Sequence, residues 1–325
     1  MGHSMAGIKK LAMLTSGGDA SGMNAAIRAI TRYARFKDLE VLGFYEGFKG
    51  LINNDFVVLD LNSVGGIIDR GGTFLYSARS EEFKTEEGMQ KAIANLNKNK
   101  VDGLIIIGGD GSFRGAHDLH IRGVKVVGIP ATIDNDIAGT DYSIGFDTAL
   151  NVIIDLISKI RDTASSHDRL FVIEVMGRNS GIIAISAGLA CGADYILIPE
   201  IEVDLVKIAN NIRKHREGKR HTLIVVAEGA AKAIDVASSI KLLVGHEVRA
   251  SVLGHIQRGG SPSALDRLLA AEFAKKAVDL LIEGESDCMT AIEGKIIKSV
   301  KFDNILSRKK DINRGLYELA HILSR

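Results

Sequence analysis

The stretch from Leu104 to Asp136, LIIIGGDGSFRGAHDLHIRGVKVVGIPATIDND, decides the fold. It opens on an unbroken apolar run, Leu104 to Ile107, of the kind carried by a strand buried on both faces of a parallel sheet. A Gly108-Gly109-Asp110-Gly111 turn follows, and Ser112 is expected as the N-cap of a helix carrying Phe113, Ala116 and Leu119. Gly123 is expected to end that helix, and Val124 to Ile129 to form a second buried strand. Strand, crossover and parallel strand place Asp110 just past the carboxyl end of the first strand, and Thr132, Asp134 and Asp136 just past that of the second. In open α/β sheets this edge is where ligands bind.

The chemistry these turns suggest is phosphoryl transfer. Glycines let backbone N–H groups approach phosphate oxygens, and nearby carboxylates hold Mg2+ through oxygen. Asp also caps helices and turns, and that role alone explains either turn taken singly. Two acidic turns on neighbouring strands favour the ligand reading.

Of 325 residues, 46% are hydrophobic and 25% charged, which is a soluble globular composition long enough for two domains. With 41 basic residues against 40 acidic, no nucleic-acid or membrane surface is expected. Cys191 and Cys288 are far apart and in no metal-ligand spacing, so a disulfide framework is not expected and a cytoplasmic location is. No apolar stretch approaches the roughly 20 residues that span a bilayer. Met1-Gly2-His3-Ser4, before Met5, reads as the remnant of an expression tag.

Elsewhere, Ile8 to Leu14 reads as a strand leading through Thr15-Ser16-Gly17-Gly18-Asp19-Ala20-Ser21-Gly22 into a helix with Ile27, Ile30 and Ala34 on one face. Such a turn suits an anion or merely turns the chain. Arg28 and Arg32 share a face of that helix. After a strand at Val41 to Tyr45, Arg70 to Arg79 is a glycine-initiated loop ending in a cation whose planar fork suits phosphate. Phe146 to Ile160 has the spacing of a core helix. A second doubly wound sheet begins near Gly145, with Arg178 and Glu228 after two of its strands. Glu247 to Pro262 reads as a strand bearing Arg249, His255 and Arg258; alternation puts Arg249 and His255 on one face, and with Arg169 these residues suit a sugar phosphate.

GGDGS and PATIDND, joined by further motifs from Thr15 to Pro262, resemble the bacterial ATP-dependent 6-phosphofructokinases. The resemblance implies an α/β chain of two doubly wound, mostly parallel-sheet (Rossmann-like) domains: an ATP/Mg-binding domain of residues 5–144 plus 257–307, and a fructose-6-phosphate domain of residues 145–256 plus 308–325. It implies that Asp134 accepts the proton of the 1-hydroxyl of fructose 6-phosphate, with Thr132 and Arg79 stabilising the moving phosphoryl group of ATP. Gly18, Arg79, Ser80, Gly109, Asp110, Gly111 and Ser112 contact ATP on this reading, and Asp110 and Asp136 hold Mg2+. Thr132, Ile133, Asp134, Met176, Gly177, Arg178, Glu228, His255 and Arg258 contact the sugar, while Arg169 and Arg249 reach the 6-phosphate from a neighbouring subunit of a homotetramer. An effector site for ADP or phosphoenolpyruvate maps to Arg28, Arg32, Arg161, Gly192, Asp194, Lys219, Arg220 and His221.

The chain departs from the family pattern at Ser21, where proline is usual, at Ala131 for glycine, at Asp194 for glutamate, and at Leu61, where some members carry arginine. The pyrophosphate-dependent relatives typically carry Asp after the GGD motif and Lys before TIDND, where this chain has Gly111 and Ala131. A lipid or NAD kinase would share only GGDG. A catalytically silent regulatory subunit would lack Asp110 or Asp134, and both are present.

Overall fold

A computed structural model describes residues 7–165, 170–215 and 222–324. In chain order the first half runs β1 (Lys10–Thr15), α1 (Met23–Phe36), β2 (Glu40–Phe44), α2 (Phe48–Asn53), β3 (Phe56–Leu59), α3 (Glu86–Lys98), β4 (Gly103–Gly108), α4 (Asp110–His120) and β5 (Val126–Pro130). Then come α5 (Phe146–Ser165), β6 (Leu170–Val175), α6 (Ile182–Ala190), β7 (Tyr195–Leu197), α7 (Leu205–His215), β8 (Thr222–Ala227), α8 (Ala233–Val244) and β9 (Val248–Val252). The chain closes with α9 (Ala264–Ile282), β10 (Cys288–Glu293), β11 (Ile296–Lys301), α10 (Asp303–Leu306) and α11 (Arg314–Leu323).

These elements form two compact units. One comprises Met1–Ile133, Ile137–Thr148 and Arg258–Lys310; the other comprises Asp134–Asp136, Ala149–Gln257 and Asp311–Arg325. The first is built on a seven-stranded sheet of order β11-β10-β5-β4-β1-β2-β3, parallel from β10 to β2 and closed at each edge by an antiparallel strand. Leu104, Ile105, Ile106 and Ile107 of β4 are all fully buried, as expected of a strand covered on both faces. The chain moves outward from β1 through β2 and β3, then returns to lay β4 on the other side of β1, so the topological switch falls between β1 and β4. The second unit carries a wholly parallel four-stranded sheet, β7-β8-β6-β9, with a core of Val172, Ile224, Val226, Val236 and Ile240.

Two local expectations are corrected. Ser112 does not cap α4: the cap is Gly109, Asp110 is the first helical residue, and Ser112 lies buried as the third residue of the first turn. Ser112 is drawn inward because its hydroxyl packs where Gly108 has no side chain; a Cβ on Gly108 would lie 2.5 Å from that oxygen. The strand read through Glu247 to Arg258 stops at Val252. The Leu253 N–H bonds to the Glu174 carbonyl at 3.1 Å, Gly254 takes φ +53°, and Gly254–Arg258 coils into a 3-10 turn. His255 and Arg258 therefore ride on that turn, and strand alternation does not put His255 on the face of Arg249. Among the described residues no helix is long and apolar enough to cross a membrane.

Candidate active site

In the first unit three turns meet at the carboxyl edge of β1, β4 and β5. The Ser16 N–H donates to the Ile107 carbonyl at 2.9 Å, and the Ala131 N–H to the Gly108 carbonyl at 2.9 Å. A Cβ built on Gly109 would stand 3.9 Å from the Thr132 side chain. The Ser143 hydroxyl donates to the Thr132 carbonyl at 2.7 Å and steadies that turn. Gly17, Gly109 and Thr132 are thereby neighbours, with Asp110 exposed in the first turn of α4 and Ile133 buried. A Cβ on Gly111 would meet nothing within 4 Å, so this turn is open there.

The loop bearing Arg79 is tied to the same edge. The Thr15 hydroxyl donates to the Tyr76 carbonyl at 2.6 Å and lies 2.9 Å from the Thr73 hydroxyl. The buried Asn24 amide donates to the carbonyls of Arg70 and Gly71 and accepts from the Phe74 N–H. Arg79 itself is exposed, and Ser80 accepts from the Phe83 N–H at 3.2 Å, which starts a short 3-10 turn. Gly18 is exposed, and the Arg258 guanidinium lies against it, donating to the Asp19 carbonyl at 2.9 Å.

The second unit gathers a different set. Asp134 is 2% exposed, and Nε of Arg178 stands 3.6 Å from its Oδ2. Arg178 has φ +51° and donates its backbone N–H to Oε1 of Glu228 at 2.9 Å, so the turns after β6 and β8 are coupled through the Glu228 carboxylate. Asp136 is half-buried. The Met176 N–H, next to Gly177, donates to Oε1 of Gln257 at 3.1 Å, and Nε2 of Gln257 donates to the Gly254 carbonyl at 2.9 Å. Buried Gln257 thus pins the turn that carries His255 to the end of β6. Arg249 and His255 are exposed.

The remaining predicted residues scatter more widely. Arg28 is half-buried and Arg32 exposed on α1, and Leu61 is 49% exposed. Nη2 of Arg161 on α5 is buried with no hydrogen-bond partner among the described residues, close enough for its charge to act on the Cys191 thiol, which burial pushes above its usual range. Gly192 takes φ +61°, and Oδ2 of Asp194 accepts the Leu223 N–H at 2.8 Å. Arg169, Lys219, Arg220 and His221 lie outside the described residues.

Three buried polar residues that organise these turns escaped the sequence reading, Asn24, Gln257 and Asp266, and a fourth, Ser21, stood out there only as a departure from proline. Asp266, in the first turn of α9, accepts from the N–H groups of Gly145 and Thr148 and from the Thr148 hydroxyl. Burial pushes its carboxyl above the usual range, against the pull of those donors. In a linear sequence all four look like ordinary turn or helix-surface residues, and only Ser21, inside the glycine turn, and Asn24, just past it at the start of α1, had a positional hint.

Fold and turns together define an α/β protein of open parallel sheets whose glycine turns and carboxylates collect at the carboxyl edges of the strands. The phosphofructokinase family profile matches residues 10–281, and the chain belongs to that family. It is 53% identical over 319 residues to an ATP-dependent 6-phosphofructokinase of Thermotoga neapolitana and 51% identical over 318 residues to one of Brevibacillus brevis, each match covering 98% of this chain and 100% of the relative. Among solved structures, phosphofructokinase from Saccharomyces cerevisiae is similar with a TM-score of 0.86 at 34% identity, covering 97% of this chain and 48% of the yeast chain. A pyrophosphate-dependent phosphofructokinase from Marinobacter aquaeolei reaches the same TM-score at 22% identity, over 95% of this chain and 86% of that one, a likeness of fold alone.

Proposed function

We propose that the chain is an ATP-dependent 6-phosphofructokinase, transferring the γ-phosphoryl group of ATP to the 1-hydroxyl of D-fructose 6-phosphate to give fructose 1,6-bisphosphate and ADP in glycolysis. The observation that carries the reading is the meeting of the Gly17, Gly109 and Thr132 turns at one sheet edge, in a chain half identical, end to end, to bacterial enzymes of that name.

Asp134 takes the hydroxyl proton and orients the attacking oxygen. Because such transfer is loose, with little early deprotonation of the nucleophile, orientation counts for much of its effect. The Arg178 guanidinium, 3.6 Å from Oδ2, sets a positive charge beside the carboxylate that serves as base. Gly18, Gly109, Gly111 and Ser112, with Ser80, border the donor phosphates, and Arg79 and Thr132 stabilise the moving charge. Met176, Gly177, Arg178, Glu228, Ile133, His255 and Arg258 hold the sugar phosphate. Asp110 and Asp136 offer only carboxylate oxygens, the donor chemistry that suits Mg2+, and Asp110 is solvent-exposed in a helix first turn. Mg2+ held there would neutralise charge on the donor phosphates.

ATP in place of pyrophosphate follows from Gly111, which leaves the donor side open and uncharged, and from Ala131, which brings no cation. The assembly is a cytoplasmic homotetramer in which Arg169 and Arg249 reach the 6-phosphate of a neighbour. ADP or phosphoenolpyruvate acts through Arg28, Arg32, Arg161, Gly192, Asp194, Lys219, Arg220 and His221. The test is a coupled assay of purified protein with ATP against pyrophosphate and with fructose 6-phosphate against other sugar phosphates, alongside its mass in solution. Preference for pyrophosphate, or no turnover of fructose 6-phosphate, overturns the reading.

A further inference from the structure

Ser21 stands where the resembling family usually has proline, and proline has no hydroxyl to offer. Here the side chain is 1% exposed, and its hydroxyl donates to the Gly260 carbonyl at 2.8 Å, with the Arg258 carbonyl 3.3 Å away. Both acceptors belong to the segment that carries Arg258, whose own guanidinium returns to the Asp19 carbonyl at 2.9 Å. A Cβ on Gly18 would lie 2.6 Å from Nη1 of Arg258, so the cation is seated directly on the glycine turn. The far side of the segment is held too. The Ser261 hydroxyl donates to the Asp69 carbonyl at 2.7 Å, and a Cβ on Gly71 would lie 2.5 Å from the Gly260 carbonyl oxygen. The segment is thus gripped from both sides, and on the side of the glycine turn the only side-chain group bonding its backbone among these contacts is the Ser21 hydroxyl.

We propose that Ser21 is a positioning residue for Arg258: by fixing the backbone from Arg258 to Gly260 against the Gly17–Gly22 turn, it sets where the guanidinium is offered to a phosphorylated sugar. This rests on the reading of Arg258 as a contact to fructose 6-phosphate. The glycine turn has a further anchor in the Ser16 N–H bond to the Ile107 carbonyl, so although Arg258 also rests on Gly18, loss of the hydroxyl is expected to weigh more on the sugar than on ATP.

The test is a double-mutant cycle of Ser21→Ala and Arg258→Ala in the full chain, with KM for fructose 6-phosphate, KM for ATP, kcat and thermal unfolding measured for each. Ser21→Ala is expected to raise KM for fructose 6-phosphate by about 3- to 10-fold, the size of one net hydrogen bond, with KM for ATP within about twofold of the parent. In the Arg258→Ala background the same change is expected to have no further effect on the sugar, because a residue acting only through Arg258 cannot be additive with its removal. Ser21→Cys, nearly isosteric but a weak donor, gives an intermediate KM. Additive effects, or equal rises in both KM values, show a general structural role and overturn the proposal. A silent Ser21→Ala beside a damaged Arg258→Ala overturns this proposal and leaves the sugar-contact reading standing. A silent Arg258→Ala removes both.

Discussion

Asp134 is almost wholly buried, with a guanidinium 3.6 Å from one carboxylate oxygen, and a group so placed works through its charge and its direction. Replacing it by Ser keeps a short polar side chain and removes both. Asp134→Ser is expected to lower kcat by at least about 10²-fold, the contribution of a positioned acid-base group, with little change in KM for ATP. Steady-state kinetics check it, and near-normal turnover removes Asp134 from the role. Gly111 offers a second test at this scale, because a side chain there meets open space in the first turn of α4. Gly111→Asp should therefore fold as well as the parent, an acid near a helix start being tolerated. Its added charge is expected to cut kcat/KM for ATP by about tenfold or more, the cost of like charges brought together. An unchanged kcat/KM for ATP, measured beside an unchanged unfolding temperature, would separate Gly111 from donor choice.

At the scale of elements, α5 and α9 start together because one carboxylate serves both. Asp266 receives two donors at Thr148 and one at Gly145, at distances of 2.5 to 2.8 Å. Asp266→Asn would turn an amide NH2 toward an N–H or hydroxyl donor, and an expected loss of about 2 kcal/mol should show in denaturant unfolding. The other end of α4 has its own tie. Nδ1 of His117 stands 2.8 Å from Asp287 and Nε2 3.8 Å from Asp303, and the imidazole is held above its usual range chiefly by the Asp287 hydrogen bond, with Asp303 and Asp118 adding charge and burial opposing. A raised histidine stabilises fully below its unfolded value of 6.5 and loses that contribution as pH climbs through the folded value. The unfolding temperature should thus fall slightly as pH climbs from 6.5 through the raised folded value, by no more than the equivalent of about 1 kcal/mol for a pair this accessible. His117→Gln should flatten that part of the profile; a profile identical to the parent's rejects the assignment.

What could be read in advance also divides by element. The apolar run of β4 was legible because a strand covered on both faces must be apolar throughout, and the helical spacing from Phe146 was legible for the same reason on one face. The neighbourhood of Gly109 and Thr132 followed from parallel pairing of β4 and β5. The break at Gly254 was hidden, since Leu253 and Ile256 prolong an apolar pattern that only the φ of +53° at Gly254 interrupts. Ser112 misled because cap propensity takes no account of packing: its hydroxyl lies where Gly108, four residues back, has no side chain, and 3.6 Å from where a Cβ on the distant Gly17 would stand. Gln257 and Asp266 were unreadable for a simpler reason: their partners lie 81 and 121 residues away along the chain.

For the whole molecule, control by metabolites is expected to be weak or altered. Asp194 is shorter than the usual glutamate, and its Oδ2 already accepts the Leu223 N–H, while Leu61 supplies no cation. Initial rates against fructose 6-phosphate, with and without ADP, decide this; a strongly sigmoidal curve relieved by ADP would contradict it. Finally, the seven-stranded sheet ends in antiparallel edge strands, with β3 only four residues long and β11 bearing Lys298 and Lys301 in ion pairs with Glu293 and Glu285. Brevity at the β3 rim and charge at the β11 rim deny a foreign strand the template it would need to add itself on, so concentrated solutions of this protein should resist fibrillar growth from those rims.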